Sequence, residues 1–213
     1  MKPINCALSL ALLTASPSLA QESDLPAGTY RLDPYHSTLV FSVSHLGFSS
    51  YVMSFDQFDA LLEIDPSDPE KSSISATIDP SSLDLPSPPE GFLDELLGET
   101  WLNAASFPEI TFVSNRIEPT GAQTADVHCE LKLLGVVRPV VLNVKFNGGY
   151  PGHPMDPNAR IGFSADAEFP RSEFGMDFAV PAPGSSMGVG DAVTVRIEAE
   201  FTGPPLEDSG TDE

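Results

Sequence analysis

Basic side chains are scarce in this sequence. Its 213 residues include 10 Lys and Arg but 31 Asp and Glu, which gives a formal net charge of −21 at pH 7. Proteins that bind nucleic acids depend on basic patches that neutralise phosphates, and anionic bilayer surfaces attract the same kind of patch. The charge therefore excludes nucleic acid and an anionic membrane surface as direct partners.

Cysteine is nearly absent. The chain has only Cys6 and Cys129, and Cys6 lies in a segment that we expect to be removed. Cys129 would then stand alone, which excludes an internal disulfide even in a compartment that permits one. Because Cys129 shares a strand face with Val127 and Leu131, we predict an inert buried thiol.

Long apolar runs are absent too. The longest, at residues 4–15, falls short of the ~20 residues that cross a bilayer. It follows Lys2 and precedes Ser18-Leu19-Ala20, a small-residue pattern typical of a signal peptidase site. We expect residues 1–20 to be a signal peptide cleaved after Ala20, and the mature protein to be periplasmic. Loss of Lys2 leaves 9 basic against 31 acidic residues, a net charge of −22.

The mature chain is predicted to be one domain. Its 16 Gly and 21 Pro favour turn-rich β structure over a helical bundle. We place the domain at residues 28–202, after a linker at residues 21–27. An acidic disordered tail is predicted at residues 203–213.

Alternation of apolar and polar residues recurs through this domain and predicts eight or nine strands, each with one buried face. Short connections leave no room for helices between most of them, so the strands should pair as antiparallel hairpins. The predicted strands are residues 28–33, 37–45, 58–64, 73–79, 109–118, 126–133, 140–146, 161–169 and 193–201.

Two segments break the alternation. Residues 91–99 carry apolar side chains at helical spacing, which predicts one short helix after the proline-rich loop at residues 79–90. The apolar residues expected to face inward change from even-numbered to odd-numbered positions between Phe112 and Val113, which predicts a β-bulge at that point.

Strands of this kind bury their apolar faces either as two packed sheets or as one closed barrel. An eight-stranded barrel is just wide enough to be filled by its side chains or to hold one small ligand. Small inward residues such as Ala60, Ala76 and Ala165 favour a barrel with a hollow part. Composition alone leaves the sandwich open.

Five segments of the chain are more specific. They include Tyr-Arg-Leu-Asp-Pro-Tyr-His-Ser at 30–37, Phe-Pro-Glu-Ile-Thr-Phe at 107–112 and Arg-Ser-Glu-Phe-Gly-Met at 171–176. With segments at 131–140 and 189–197, they resemble, in order, the YceI-like family of exported polyisoprenoid-binding proteins. The resemblance implies an all-β fold: an extended antiparallel up-and-down β-barrel, lipocalin-like, with one short helix and an apolar pore that holds an isoprenoid chain.

One segment departs from that family. Where the family usually has a charged stretch with an Arg-Asp pair, residues 81–99 are proline-rich and carry Asp94 and Glu95. Loops at barrel mouths select ligands, so this change leaves the identity of the ligand open.

The candidate ligand-binding residues are inward-facing positions of the predicted barrel. An apolar interior needs no polar contact to bind a lipid, because each buried CH2 group contributes about 0.8 kcal/mol. Such an interior specifies head group and chain length poorly. The candidates are Leu39, Phe41, Val43, His45, Phe58, Leu62 and Ala76.

The remaining titratable side chains with candidate roles are His36, His45 and Arg171. His36 and His45 are nine residues apart and face opposite sides of a regular strand, so we predict no metal site. His36 is expected to fix a turn through a side-chain hydrogen bond. His45 either bonds to the backbone at the barrel mouth, which we favour, or donates to a ligand head group. Arg171 pairs either with Glu173, which we favour, or with an acidic ligand group.

The leading functional hypothesis is a binding protein that carries or sequesters a polyisoprenoid, an isoprenoid quinone or a similar long apolar chain. No catalytic residue and no cofactor are predicted, and we expect a monomer or weak dimer without stable membrane insertion. The alternatives are an enzyme that uses His45 as acid or base in the same cavity, and a structural or stress-response domain with a solid core and no ligand.

Overall fold

Residues 25–206, the part of the chain that this computed structural model describes, contain eleven strand segments, one short α-helix and three 3₁₀ turns. The predicted signal peptide therefore lies outside the described residues. The elements are β1 (Gly28–Leu32), β2 (Thr38–His45), β3 (Ser49–Phe55), β4 (Phe58–Ile64), β5 (Ser73–Ile78), β6 (Leu83–Asp84), α1 (Phe92–Leu97), β7 (Ile110–Gly121), β8 (Thr124–Leu133), β9 (Val136–Tyr150), β10 (Asn158–Pro170) and β11 (Val189–Pro205).

Eight of these segments close into a ring of antiparallel pairs. The order is β1, β4, β5, β7, β8, β9, β10 and β11, and β11 pairs back onto β1. The remaining segments β2, β3 and β6 continue the sheet from β11, beside the ring. The ring confirms the predicted barrel and excludes the two-sheet sandwich.

Three of the barrel strands are each interrupted once. Both β1 and β2 pair antiparallel with β11, at Phe201–Thr202 and at Val189–Glu198 respectively, so they lie end to end in the same direction. By the same logic β3 and β4 form one strand, since they pair with β2 and β1. The segments β5 and β6 form another, since they pair with β4 and β3. The barrel thus has eight long strands that are neighbours in chain order, which is the predicted up-and-down arrangement.

The interruption between β1 and β2 is held by Asp33. Its backbone N–H donates to Glu200 O at 2.8 Å, while its carboxylate accepts from Tyr35 N at 3.0 Å and from Arg160 Nη1 at 2.7 Å. His36 Nδ1 lies 3.0 Å from Asp33 Oδ2, which confirms the turn-fixing bond predicted for His36. Burial by itself raises the pKa of Asp33, but the bonds from His36, Arg160 and Tyr35 outweigh it and lower the pKa to about 2.

A compact apolar cluster closes one end of the barrel, which we call the closed end. Here Tyr30 is fully buried and its hydroxyl donates to Pro26 O at 2.8 Å. A Cβ on Gly203 would overlap the Tyr30 ring, so no side chain fits at that position. The buried residues of the closed end are Leu25, Tyr30, Leu32, Ala60, Leu62, Ala159, Ile161, Ala199 and Phe201.

Both predicted domain boundaries need correction at this end. Leu25 was assigned to a linker, yet it is buried in the closed end because the cluster extends beyond the first strand. The predicted tail began at residue 203, but β11 continues through Pro205 and the Leu206 N–H donates to Pro157 O at 2.7 Å. The remainder of the predicted tail, residues 207–213, lies outside the described residues.

The opposite end, the helix end, consists of residues 46–48, 85–109, 134–135 and 171–188. The predicted helix is confirmed as α1, and the proline-rich loop before it also contains a 3₁₀ turn and β6. The predicted bulge was misplaced. Phe112 is buried and Val113 exposed, so alternation continues there, and the register of β7 shifts instead between Ser114 and Arg116.

We expect Asp33→Asn to lower the free energy of unfolding by about 2 kcal/mol at pH 7. The folded pKa is depressed, so this stabilisation is complete above the ordinary pKa of 3.8 and is lost as the pH falls toward about 2. Urea denaturation of both proteins across this range measures the difference.

The control for this substitution is Asp166→Asn, an exposed position on β10, for which a change within about 0.5 kcal/mol is expected. A difference between the wild type and Asp33→Asn that stays constant from pH 7 down to about pH 2 would contradict the assignment.

Candidate functional site

A cavity of about 700 Å³ lies inside the barrel, between the closed end and the helix end. This volume falls within the range of about 300–1,000 Å³ typical of small-molecule sites. Almost all of its lining is apolar, and the titratable side chains among the lining residues are His45, Tyr51, Glu95 and Arg171.

The walls of the cavity are formed by the apolar face of each strand. In an antiparallel ladder, directly opposed residues point to the same side of the sheet. Phe41 of β2 opposes Val195 of β11, which opposes Ala167 of β10. Ala76 of β5 likewise opposes Phe112 of β7. All five line the cavity, because residues opposed on neighbouring strands point to the same side of the sheet all around the ring.

Small side chains keep the interior hollow. Ala60, Ala76, Ala167 and Ala199 all line the cavity. Protein interiors are normally close-packed, and an alanine leaves unfilled the space that a leucine or phenylalanine would occupy at the same inward position. The mixture of small and large inward residues thus explains why this barrel is not filled by its own side chains.

The floor of the cavity is the inner surface of the closed end, at Leu32 and Phe201. The roof is the helix end. There α1 contributes Phe92 and Leu96, and the Phe92 ring meets Tyr51 edge-on at 6.1 Å between centroids. The segment that departs from the family pattern, residues 81–99, therefore forms a large part of the roof.

Six of the seven residues singled out from the sequence line the cavity, and one does not. Leu62 is buried in the closed end, where it opposes Tyr30 of β1, so we remove it from the ligand-binding candidates. Alternation assigns a side chain to a face of the strand but does not tell how far along the barrel it lies. The six that line the cavity are Leu39, Phe41, Val43, His45, Phe58 and Ala76.

His45 ends β2 at the rim of the cavity. It is exposed and opposes Ser49 of β3 and Val189 of β11. Its ring makes no hydrogen bond with any residue in the described range, so the backbone bond that we favoured is not found. The strand ends here. The backbone turns at the next residue, Leu46, whose N–H donates to Gly188 O at 2.8 Å.

Arg171 is the buried cation of the site, at only 2% exposure. The predicted pair with Glu173 is wrong, because Glu173 points to solvent on the 3₁₀ turn that carries Arg171 inward. Its guanidinium instead donates to four backbone carbonyls, at 2.5–2.9 Å. The acceptors are Gly190 O, Met176 O, Phe178 O and Val189 O.

The guanidinium also lies over an aromatic ring. Arg171 Cζ is 5.3 Å from the centroid of the Trp101 ring, and Phe178 meets the same ring edge-on at 5.5 Å. Burial lowers the pKa of Arg171, and the nearby charges of Asp191 and Asp177 oppose that shift. Sequence analysis missed Trp101, since its segment shows neither strand alternation nor helical spacing.

Cys129 is fully buried, as predicted, and its Sγ lies 3.3 Å from Val127 O. Burial raises the pKa of this thiol to about 12. The reactive thiolate is therefore essentially unpopulated at neutral pH.

One group of potential metal ligands occurs in the described residues. The side chains of Asp33, His36 and Glu200 bring ligand atoms within 4.8 Å of one another. The guanidinium of Arg160 already bonds to the Asp33 carboxylate at 2.7 Å. A second cation at this carboxylate would face like-charge repulsion.

Comparisons with known proteins agree with this architecture. The family model of the YceI-like domain matches residues 30–201. A UPF0312 protein of Pseudomonas savastanoi pv. phaseolicola is 31% identical over 172 residues, which cover 79% of this chain and 86% of that protein.

Solved structures share the fold. BcnA of Burkholderia cenocepacia matches with a TM-score of 0.67 at 22% identity, over 79% of this chain and 98% of that one. A polyisoprenoid binding domain from Saccharophagus degradans, implicated in plant cell wall breakdown, matches with a TM-score of 0.58 at 14% identity, over 84% of this chain and 100% of that one. Within residues 25–206 no helix is long and apolar enough to span a membrane.

We expect Arg171→Leu to lower the free energy of unfolding by at least about 3 kcal/mol, because it leaves four carbonyls without their donor and each such loss costs about 1–3 kcal/mol. Urea denaturation measures the effect. The matched control is Arg196→Leu, on the outward face of β11 and 71% exposed, with an expected change within about 0.5 kcal/mol. Equal stability of the two variants would show that Arg171 does not hold the helix end together.

Proposed function

The chain belongs to the YceI-like family, and we propose that it is a lipid-binding protein that holds a long isoprenoid chain, or a similarly long apolar molecule, inside its barrel. The observation that carries this proposal is the apolar cavity of about 700 Å³ enclosed by the ring of strands. The shared fold of the polyisoprenoid binding domain from Saccharophagus degradans supports it.

The energetics favour such a ligand. Burying a CH2 group contributes about 0.8 kcal/mol, so one five-carbon isoprene unit contributes several kcal/mol. Association costs roughly 4–15 kcal/mol in lost translational and rotational freedom. A few enclosed units offset this cost without any polar contact.

The ligand enters through the helix end in this proposal. The closed end is packed by buried side chains such as Tyr30, Ile161 and Phe201, which would have to move apart to open a path. The helix end is built from loops and one six-residue helix, and its exposed side chains include Phe48, Phe178 and Met187. Loops carry fewer packing contacts and open at lower free energy than a closed sheet.

We further propose that the protein works in the periplasm, where it would shield an apolar cargo from water. Many of the acidic side chains lie on outward strand faces, for example Glu130, Asp166 and Glu200, which are exposed. A strong net charge of one sign keeps proteins soluble and apart. This charge supports a monomer or weak dimer.

The two alternatives have less support. Catalysis in this cavity would need an acid, base or nucleophile against the substrate, yet His45 and Glu95 are exposed at the rim and the remaining wall is almost wholly apolar. A ligand-free structural domain would need a solid core, which a cavity of about 700 Å³ opposes.

Native mass spectrometry of the protein purified from an exporting host, followed by lipid extraction, tests the proposal. We expect an adduct that matches an extractable long-chain apolar lipid. A protein that carries no lipid and also fails to bind added N-phenyl-1-naphthylamine would refute the proposed function.

A cavity-filling variant locates the binding. Ala167→Phe adds a ring to the wall of the cavity, so the variant should bind N-phenyl-1-naphthylamine at least about tenfold more weakly. The matched control is Ala192→Phe, at an exposed position of β11, which should bind as the wild type does. Binding by Ala167→Phe that equals that of the wild type would place the bound probe outside the barrel.

A further inference from the structure

The cavity meets the protein surface at the helix end. Within residues 25–206, the residues that both line the cavity and are exposed are His45, Pro89, Glu95 and Phe178. They come from the end of β2, the loop before α1, α1 itself and the loop between β10 and β11. We call this group of four residues the portal. A ligand that enters or leaves through the helix end passes among these side chains.

Phe178 is the aromatic side chain of the portal. It is 54% exposed, whereas the other aromatic side chains that line the cavity in the described range are buried or half-buried. The flanking residues Asp177 and Ala179 are exposed as well. The Phe178 ring therefore lies at the outer surface of the protein and borders the cavity from there.

The backbone that carries this ring is held on both sides. Phe178 O accepts a hydrogen bond from Arg171 Nη2 at 2.9 Å, and Ala179 O accepts one from the Val189 N–H at 2.8 Å. Ala179 has a φ of 55°, in the left-handed region that is unfavourable for alanine. Such strain persists where the surrounding structure imposes it, and it is concentrated at functional sites. Because the backbone is fixed, movement at this point falls to the side chain.

The Phe178 ring itself is held weakly. It meets the Trp101 ring edge-on, with 5.5 Å between the centroids. This contact joins the loop between β10 and β11 to the segment that follows α1. Aromatic pairs of this kind are weak, and exposed side chains change rotamer within picoseconds to nanoseconds. The ring can therefore leave Trp101 without the loss of a hydrogen bond.

We propose that the Phe178 side chain is the gate of the cavity: packed against Trp101 it closes the portal, and rotated into solvent it opens the portal. The exchange of a ligand through this gate rests on the proposed lipid-binding function, whereas the gate itself is a property of the empty protein. Opening requires no movement of the barrel or of the loop backbone. The gate acts on entry and exit alike, so it sets both rates and leaves the equilibrium affinity unchanged.

Stopped-flow fluorescence with N-phenyl-1-naphthylamine tests the gate. Phe178→Ala removes the ring, so the association and dissociation rate constants should both rise about threefold to tenfold, as expected for the loss of one aromatic contact. Their ratio should be unchanged. A rise in the dissociation rate constant alone would show that Phe178 only contacts the ligand, and it would overturn the proposal. Unchanged rate constants would also overturn it.

The matched control is Phe48→Ala. Phe48 is an aromatic residue of the helix end that is 79% exposed and is not among the residues that line the cavity, so this variant should exchange the probe at the wild-type rates. Phe178→Tyr keeps the ring and should do the same. Equal acceleration by Phe48→Ala and Phe178→Ala would indicate a general loosening of the helix end and would contradict a gate at Phe178.

A second measurement uses no ligand. Ala167→Cys places a thiol on the wall of the cavity, and mass spectrometry follows its labelling by N-ethylmaleimide. Labelling should be about threefold to tenfold faster when Phe178→Ala is added, and unchanged when Phe48→Ala is added. Cys129 is fully buried, is not among the lining residues and has a pKa raised to about 12. It should stay unlabelled in every variant, which monitors unfolding.

The two measurements separate the gate from the proposed function. Equal labelling of the introduced cysteine in all three backgrounds would overturn the gate, whether or not the protein binds the probe. If labelling accelerates as expected but the wild type binds no probe, the gate stands and the lipid-binding function fails.

Discussion

Closure of the sheet by β11 is the constraint on which the rest of the structure depends. This 17-residue strand pairs with β10 along one side and with both β1 and β2 along the other. Closing a sheet removes its edges and separates its two faces completely, one to water and one to the interior. The apolar faces of the strands are therefore turned toward one another, and the cavity exists because they meet around a ring rather than across two flat sheets.

The size of the cavity depends on the size of the inward side chains and on the packing at the two ends of the barrel. Alanines at inward positions leave space in the middle, while large side chains fill the closed end around Tyr30 and Phe201. At the helix end, Arg171 joins the backbone on both sides of the loop between β10 and β11 through its bonds to Met176, Phe178, Val189 and Gly190. The cavity thus has a floor of packed apolar side chains and a roof tied by polar contacts.

Alternation along the chain was enough to predict an all-β domain and most of its strands, because burial on one side of a strand leaves a period of two in the sequence. The helix was predicted from the helical spacing of apolar residues in 91–99. Alternation missed β3, whose inward Met53 and Phe55 are interspersed with several serines. It also did not reveal the interruptions in three of the barrel strands. Depth along the barrel was also invisible, which is why Leu62 was misassigned. Arg171 was paired wrongly because its partners are backbone carbonyls, which carry no sequence signal.

The most direct test of a lipid-filled barrel is a crystal structure of the protein purified without added lipid. The account predicts one continuous, elongated feature of electron density in the cavity, running from Phe201 in the floor to Trp101 in the roof. A cavity that contains only separate ordered waters, or whose walls have collapsed to fill it, would contradict the account.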